Sequence, residues 1–128
     1  MNSQIIPINL QSKESRTALT KMMMNLFGLW RISIADQSIL LNRSLGTIRH
    51  YQNGGRFGNN KDMLDRAVYL LSILKSLRIL FPHNKDLVYQ WVTANNLAFN
   101  GQPPIDVMKN GLEGINTVRI YLESQIYL

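Results

Sequence analysis

The side chains that could perform catalysis are few and scattered in this 128-residue sequence. Asp62 and Asp65 fall on one predicted helical turn, but their neighbours Lys61 and Arg66 make this turn typical of a solvated helix face. The glycine-rich stretch 53–58 follows a predicted helix rather than a strand, which does not fit a nucleotide-binding loop. No ordering of serine, histidine and aspartate suggests a hydrolase. We therefore predict that the chain is not an enzyme and has no small-molecule substrate.

Metal-binding residue types are also scarce. Only two histidines are present, His50 and His83, and they lie far apart in the sequence. The chain has no cysteine, which excludes disulfides and thiolate metal sites and fits a reducing, cytoplasmic location. The sequence predicts neither a metal centre nor a cofactor.

One segment is rich in the side chains that contact nucleic acid. Arg49 could make a bidentate contact to guanine, and Gln52 or His50 could reach another base or a phosphate. Arg43, Arg56 and Lys61 suit phosphate contacts, which position a protein without selecting a base sequence. The candidate DNA-binding residues are Arg43, Ser44, Thr47, Arg49, His50, Gln52 and Arg56.

Two short predicted helices must position these side chains. Ser33 and Asp36 begin the first helix in a capping-box pattern, and Ser44 caps the second, which ends in glycine. Two short helices with a tight turn between them form a helix-turn-helix signature. Ile48 and Tyr51 should face the core. This orientation leaves six residues pointing outward: Arg43, Leu45, Gly46, Arg49, His50 and Gln52.

The rest of the pattern is also helical and predicts an all-α fold. The strongest predicted helix, residues 60–81, is apolar over much of its circumference, which is typical of a central helix or a dimer interface. Shorter helices follow, separated by a polar loop at residues 95–102. Trp91 and Phe99 are predicted to anchor that loop in the core. We predict a flexible arm at residues 1–11, a helix-turn-helix subdomain at 12–58 and a second helical subdomain at 59–128.

Composition and charge fit this organisation. The chain is 45% apolar and 17% charged, as in globular proteins, and it lacks both a signal-peptide pattern and an apolar run long enough for a bilayer. Its net charge of +6 is unevenly distributed along the chain. Residues 1–81 contain 11 basic and 4 acidic residues, whereas residues 82–128 contain 3 basic and 4 acidic residues. The basic part could meet phosphates, or it could simply be a solvated surface.

Residues 30–54 resemble the Xre-type helix-turn-helix. The landmarks are Trp30-Arg31-Ile32-Ser33, Gln37, Ser44, Thr47-Ile48, Tyr51 and the closing Gly54. Leu45 and Gly46 depart from the resemblance, because that family usually has polar residues there. Gly46 also costs about 1 kcal/mol relative to alanine within a helix. A helix-turn-helix that is only structural therefore remains an alternative.

A second, more specific resemblance covers most of the remaining chain. Residues 65–122 are similar to the toxin-binding domain of Xre/MbcA/ParS-like antitoxins. The landmarks occur in order as Asp65-Arg66-Ala67, Leu80-Phe81-Pro82, Trp91-Val92, the loop 95–104, Gly111, Gly114 and Val118 to Leu122.

This resemblance implies an antitoxin, typically a homodimer, that is paired with a RES-domain toxin. Such toxins resemble ADP-ribosyltransferases and act on NAD. The antitoxin blocks the active-site cleft of the toxin, and many members also repress their own operon through the helix-turn-helix. The alternative is a helix-turn-helix transcriptional regulator whose C-terminal region only dimerises and has no toxin partner.

The C-terminal region supplies the candidate toxin-binding residues. Ile126, Tyr127 and Leu128 either dock on the protein's own core or reach into a partner, where tyrosine is a favoured anchor. Lys109 and Arg119 could meet acidic or polar groups of a toxin cleft. The candidates are Asn100, Lys109, Asn110, Arg119, Tyr121, Glu123, Tyr127 and Leu128.

Overall fold

The computed structural model describes residues 9–128, and every regular element in that range is helical. The predicted all-α class is confirmed. Among these residues no helix is both long and apolar enough to cross a membrane. The α-helices are α1 (Lys13–Leu29), α2 (Ile34–Leu41), α3 (Leu45–Gln52), α4 (Lys61–Leu80), α5 (Lys85–Gln90), α6 (Pro104–Met108) and α7 (Leu112–Ile126), with 3₁₀ turns at Trp91–Thr93 and Leu97–Phe99.

Side-chain caps fix where these helices begin. At the starts of α1 to α5 a serine or asparagine oxygen accepts a hydrogen bond from the backbone N–H three residues later, which satisfies a donor that the helix leaves unpaired. The capping residues are Ser12, Ser33, Ser44, Asn60 and Asn84. Asn42 ends α2 in the left-handed conformation, with φ of 54°. The two helices of the helix-turn-helix therefore begin and end as their sequence predicts.

α4 lies at the centre of the molecule. It packs against α1, α2, α5 and α7, and its buried residues belong to one continuous hydrophobic core. α7 runs parallel to it, because Gly111 lies beside Arg66 near both helix starts and Tyr127 lies in a groove with Ile79 near both helix ends. The two longest helices of the C-terminal half therefore point in the same direction.

The proposed limits of the subdomains remain predictions. Most of the predicted flexible arm, residues 1–8, lies outside the described residues. Within its last part, the carbonyl groups of Leu10 and Gln11 accept hydrogen bonds from Arg16. The predicted boundary between residues 58 and 59 precedes α4, which packs on helices from both sides of it.

α6 and α7 cross closely because position 114 has no side chain. Gly114 is buried in the first turn of α7. A Cβ at this position would overlap the backbone carbonyl group of Val107 in α6. Glycine is therefore required for the approach of these two backbones.

The substitution Gly114→Ala should destabilise the protein by about 1–3 kcal/mol, because α7 must move away from α6 to accommodate a methyl group. Gly28→Ala is the matched control, since a Cβ at that position in α1 meets nothing within 4 Å. The control should be neutral or gain up to about 1 kcal/mol of stability. Urea unfolding followed by circular dichroism measures both changes, and equal effects would contradict the requirement for glycine.

Candidate functional site

The candidate DNA-binding residues lie on α3 and on the two turns beside it; we call this set the DNA face (Arg43, Ser44, Thr47, Arg49, His50, Gln52 and Arg56). Ile48 and Tyr51 are buried, as the predicted orientation of α3 requires. Arg49, His50, Gln52 and Arg56 are exposed. The geometry therefore leaves the basic side chains of α3 available to a ligand.

Two hydroxyl groups of the DNA face also maintain the local fold. The Ser44 side chain accepts a hydrogen bond from the backbone N–H of Thr47 at 3.2 Å and lies 2.9 Å from the Thr47 hydroxyl. Arg43 is half-buried and donates to the carbonyl group of Asn42 at 2.9 Å. Substitution of Ser44 would therefore remove a helix cap as well as any contact with DNA.

Glycine at position 55 shapes the end of the DNA face. The imidazole ring of His50 packs over Gly55, and a Cβ there would overlap the ring. The Gly55 N–H also donates to the His50 carbonyl group at 2.8 Å. The turn after α3 therefore packs tightly against the side chain of His50.

The acidic pair Asp62 and Asp65 has basic partners. Lys61 donates to Asp65 at 2.7 Å, and Arg66 donates to Asp62 at 2.9 Å. The hydrogen bond from Lys61 to Asp65, and then the charge of Asp65, raise the pKa of Lys61. No group of three or more His, Cys, Asp or Glu side chains that could hold a metal ion occurs within residues 9–128.

An aromatic cluster covers one flank of α7. Tyr121 stacks on Trp91 with ring centroids 6.4 Å apart and meets Phe99 edge-on at 5.2 Å. All three rings are half-buried and pack against the hydrophobic core, so Trp91 and Phe99 hold the loop at the edge of the core beside α7. Asn100 follows Phe99 in this loop and adopts the left-handed conformation, with φ of 58°.

Arg119 occupies the opposite flank of α7. Its guanidinium group donates to Glu123 at 2.8 Å and to Asn116 at 2.6 and 2.9 Å. The same group lies 4.6 Å from the ring centroid of Tyr69 in α4, a cation–π contact. Two candidate toxin-binding residues, Arg119 and Glu123, therefore bind each other in the isolated chain.

Lys109 and Asn110 lie at the corner between α6 and α7, beside the helix-turn-helix. The ammonium group of Lys109 lies 3.0 Å from the carboxylate of Asp36 in α2. Arg66 of α4 donates to the carbonyl group of Leu40, also in α2, at 3.3 Å. The corner therefore links the helix-turn-helix to the C-terminal half, a contact that sequence periodicity does not reveal.

The exposed face of α7 lies between its two flanks. Ile120 is 52% exposed on this face, about 100° around the helix from each of its neighbours Arg119 and Tyr121. Tyr127 and Leu128 are 85% and 94% exposed, so they do not dock on the core, and only Ile126 of that trio is partly buried. A partner that contacts both flanks of α7 must also cover Ile120, which the sequence alone did not single out.

Comparisons with known proteins point to the C-terminal half. Residues 76–126 match the family model described as "Antitoxin Xre/MbcA/ParS C-terminal toxin-binding domain". The chain is also 35% identical over 100 residues to an uncharacterized protein, y4oB, of Sinorhizobium fredii (strain NBRC 101917 / NGR234), a match that covers 75% of this chain and 74% of the relative. The matched segment contains the aromatic cluster, the Lys109 corner and all of α7.

The ion pair between Lys109 and Asp36 should contribute about 0.5–1 kcal/mol to stability, because both side chains are partly buried. Unfolding of Lys109→Met, Asp36→Asn and the double variant yields this coupling free energy. The exposed pair Lys61 and Asp65, with a similar separation of 2.7 Å, is the control and should give a smaller coupling. A coupling no larger than that of the control would contradict the link between α2 and the corner.

Proposed function

The chain belongs to the Xre/MbcA/ParS family of antitoxins, and from this membership we propose that it neutralises a RES-domain toxin by covering the active site of that toxin. The family domain that matches residues 76–126 is the toxin-binding domain of antitoxins. Its presence supports the role of antitoxin in a toxin–antitoxin pair. The identity of the toxin, the occlusion of its active site, a homodimeric state and repression of the operon are parts of this proposal.

The exposed face of α7 carries the toxin-binding proposal. Ile120 offers apolar area at its centre, and the flanking Arg119 and Tyr121 belong to residue types that dominate binding energy at protein interfaces. Ordered neighbours already restrain both side chains, so little side-chain entropy is lost on binding. The eight candidate toxin-binding residues then divide between α7 with the two residues that follow it, the Asn100 loop and the Lys109 corner.

The most direct test is co-expression of the chain with the protein encoded beside its gene. The proposal expects that protein to stop growth and deplete cellular NAD when expressed alone, and to be silenced in a stable complex with this chain. A neighbour that is harmless, or that never co-purifies, would leave the transcriptional regulator without a toxin partner as the better description.

Ile120→Asp should weaken the toxin complex by roughly 30-fold or more, because a carboxylate would be buried without a partner at the centre of the interface. Leu45→Asp is the matched control, since Leu45 is 43% exposed but lies on α3, outside the matched segment. Calorimetric titration of the purified toxin measures both affinities. Equal losses, or no loss with Ile120→Asp, would exclude the exposed face of α7 as the toxin-binding surface.

The proposal includes operator DNA as a second partner. The specific observation that favours it is the exposure of Arg49, His50 and Arg56 on and beside the second helix of a helix-turn-helix. That helix enters the major groove in proteins of this kind, and dimers bind two half-sites. A homodimer would thus place two DNA faces on one operator.

Arg49→Ala should reduce operator affinity by roughly 10- to 100-fold, the usual loss when a bidentate base contact is removed. Arg78→Ala is the control, because it removes the same charge from an exposed position on α4. Fluorescence anisotropy with the promoter region of the operon, at several salt concentrations, measures both variants. If the two variants bind alike, Arg49 has no role in sequence-specific binding.

A further inference from the structure

We propose that the cleft between α1 and the turn after α3 binds a phosphate group through Arg16, His50 and Arg56. The cleft has a volume of about 450 Å³ and is lined by Arg16, His50, Gly54, Gly55, Arg56, Phe57 and Gly58. The phosphate group would come either from the DNA backbone or from a free phosphate compound. For the DNA source, the inference rests on the operator binding proposed above.

Arg16 is a buried charge whose hydrogen-bond partners within residues 9–128 are all neutral. It is 8% exposed, and its guanidinium group donates to the carbonyl groups of Phe57, Leu10 and Gln11 at 3.1, 3.0 and 2.8 Å. Within residues 9–128 no carboxylate lies within 4.0 Å of it. Residues 1–8 contain no aspartate or glutamate that could supply one. Because burial of an uncompensated charge is costly, an anion beside Arg16 would be strongly favoured.

One nitrogen of the Arg16 guanidinium group can donate a hydrogen bond to such an anion. Nε and Nη1 make the three hydrogen bonds to carbonyl groups, whereas Nη2 makes none with residues 9–128. Arg16 is one of the residues that line the cleft, so Nη2 is the guanidinium nitrogen that could donate to a ligand there. Arginine in this arrangement is a strong donor to phosphate oxygens.

Hydrogen bonds to α1 hold the opposite wall of the cleft in place. The N–H of Phe57 donates to the hydroxyl of Thr20 at 2.8 Å, and that hydroxyl donates to the carbonyl group of Arg16 at 2.7 Å. The ring of Phe57 is fully buried and meets Tyr51 edge-on at 4.8 Å. The turn that carries Arg56 is therefore ordered before any ligand binds, which lowers the cost of binding.

The charges around the cleft are all basic. Among residues 9–128 no acidic side chain lines the cleft, while Arg56 and His50 lie at its exposed edge. Another cleft is lined by the cations Arg43, Arg66 and Lys109. Arg66 and Lys109 already have aspartate partners there, so that cleft has less need of an anion than the Arg16 cleft. The Arg16 cleft also shares His50 with the DNA face, so a phosphate bound there would lie at the edge of a duplex on α3.

Nuclear magnetic resonance titration with inorganic phosphate, against chloride at equal ionic strength, tests the site directly. Saturable shifts at Gly54, Gly55 and Gly58 are expected in the full chain. Arg56→Ala should weaken binding roughly 10-fold, and Arg16→Lys should abolish it, whereas the control Arg78→Ala should have no effect. If Arg16→Lys fails to fold, Arg56→Ala and His50→Gln still test whether the cleft binds phosphate, because both positions are exposed.

A second arm measures affinity for a short DNA duplex as a function of salt. Loss of one phosphate contact should reduce the slope of log affinity against log salt by about 0.9 in Arg56→Ala. Phosphate binding that depends on the cleft, without any DNA binding, would assign the site to a free phosphate compound and reject operator binding. DNA binding that depends on Arg49, with cleft variants equal to Arg78→Ala in both arms, would overturn this inference and leave operator binding intact.

Discussion

Burial of more than half of the circumference of α4 is the constraint on which the rest of the structure depends. Nine of its twenty residues are buried, and they cover an arc wider than a single narrow stripe. Such a helix is stable only when other helices cover it, and α1 and α2 do so together with α5 and α7. The DNA face and the exposed face of α7 are therefore attached to the same core. A substitution that loosens the packing of α4 would impair both surfaces. A variant that loses both of the proposed binding activities together has therefore lost its fold.

Local chemistry explains how much could be predicted from the sequence. Ser33, Ser44 and Asn60 begin helices because their side chains pair with backbone groups three residues away, and this spacing is visible in the sequence. The burial of Ile48 and Tyr51 follows from helical periodicity in the same way. The all-α class and the order of the helices rest on such short-range rules.

Contacts between distant residues account for what the sequence did not predict. Lys109 meets Asp36, and Arg119 meets Tyr69, because particular helices cross at particular positions. No spacing rule encodes such crossings. Ile120 escaped notice because a single apolar residue on an outer face has no periodicity.

The parallel arrangement of α4 and α7 sets the distance between the two ends of the protein. Both helices begin beside α2, where Arg66 and Gly111 lie together, and both end in the groove of Ile79 and Tyr127. The fifteen residues of α7 rise by about 22 Å between these points. That length separates the groove of Ile79 and Tyr127 from α2 and the start of the helix-turn-helix. A molecule seated in that groove would therefore lie about one α7 length away from the helices that carry the candidate DNA-binding residues.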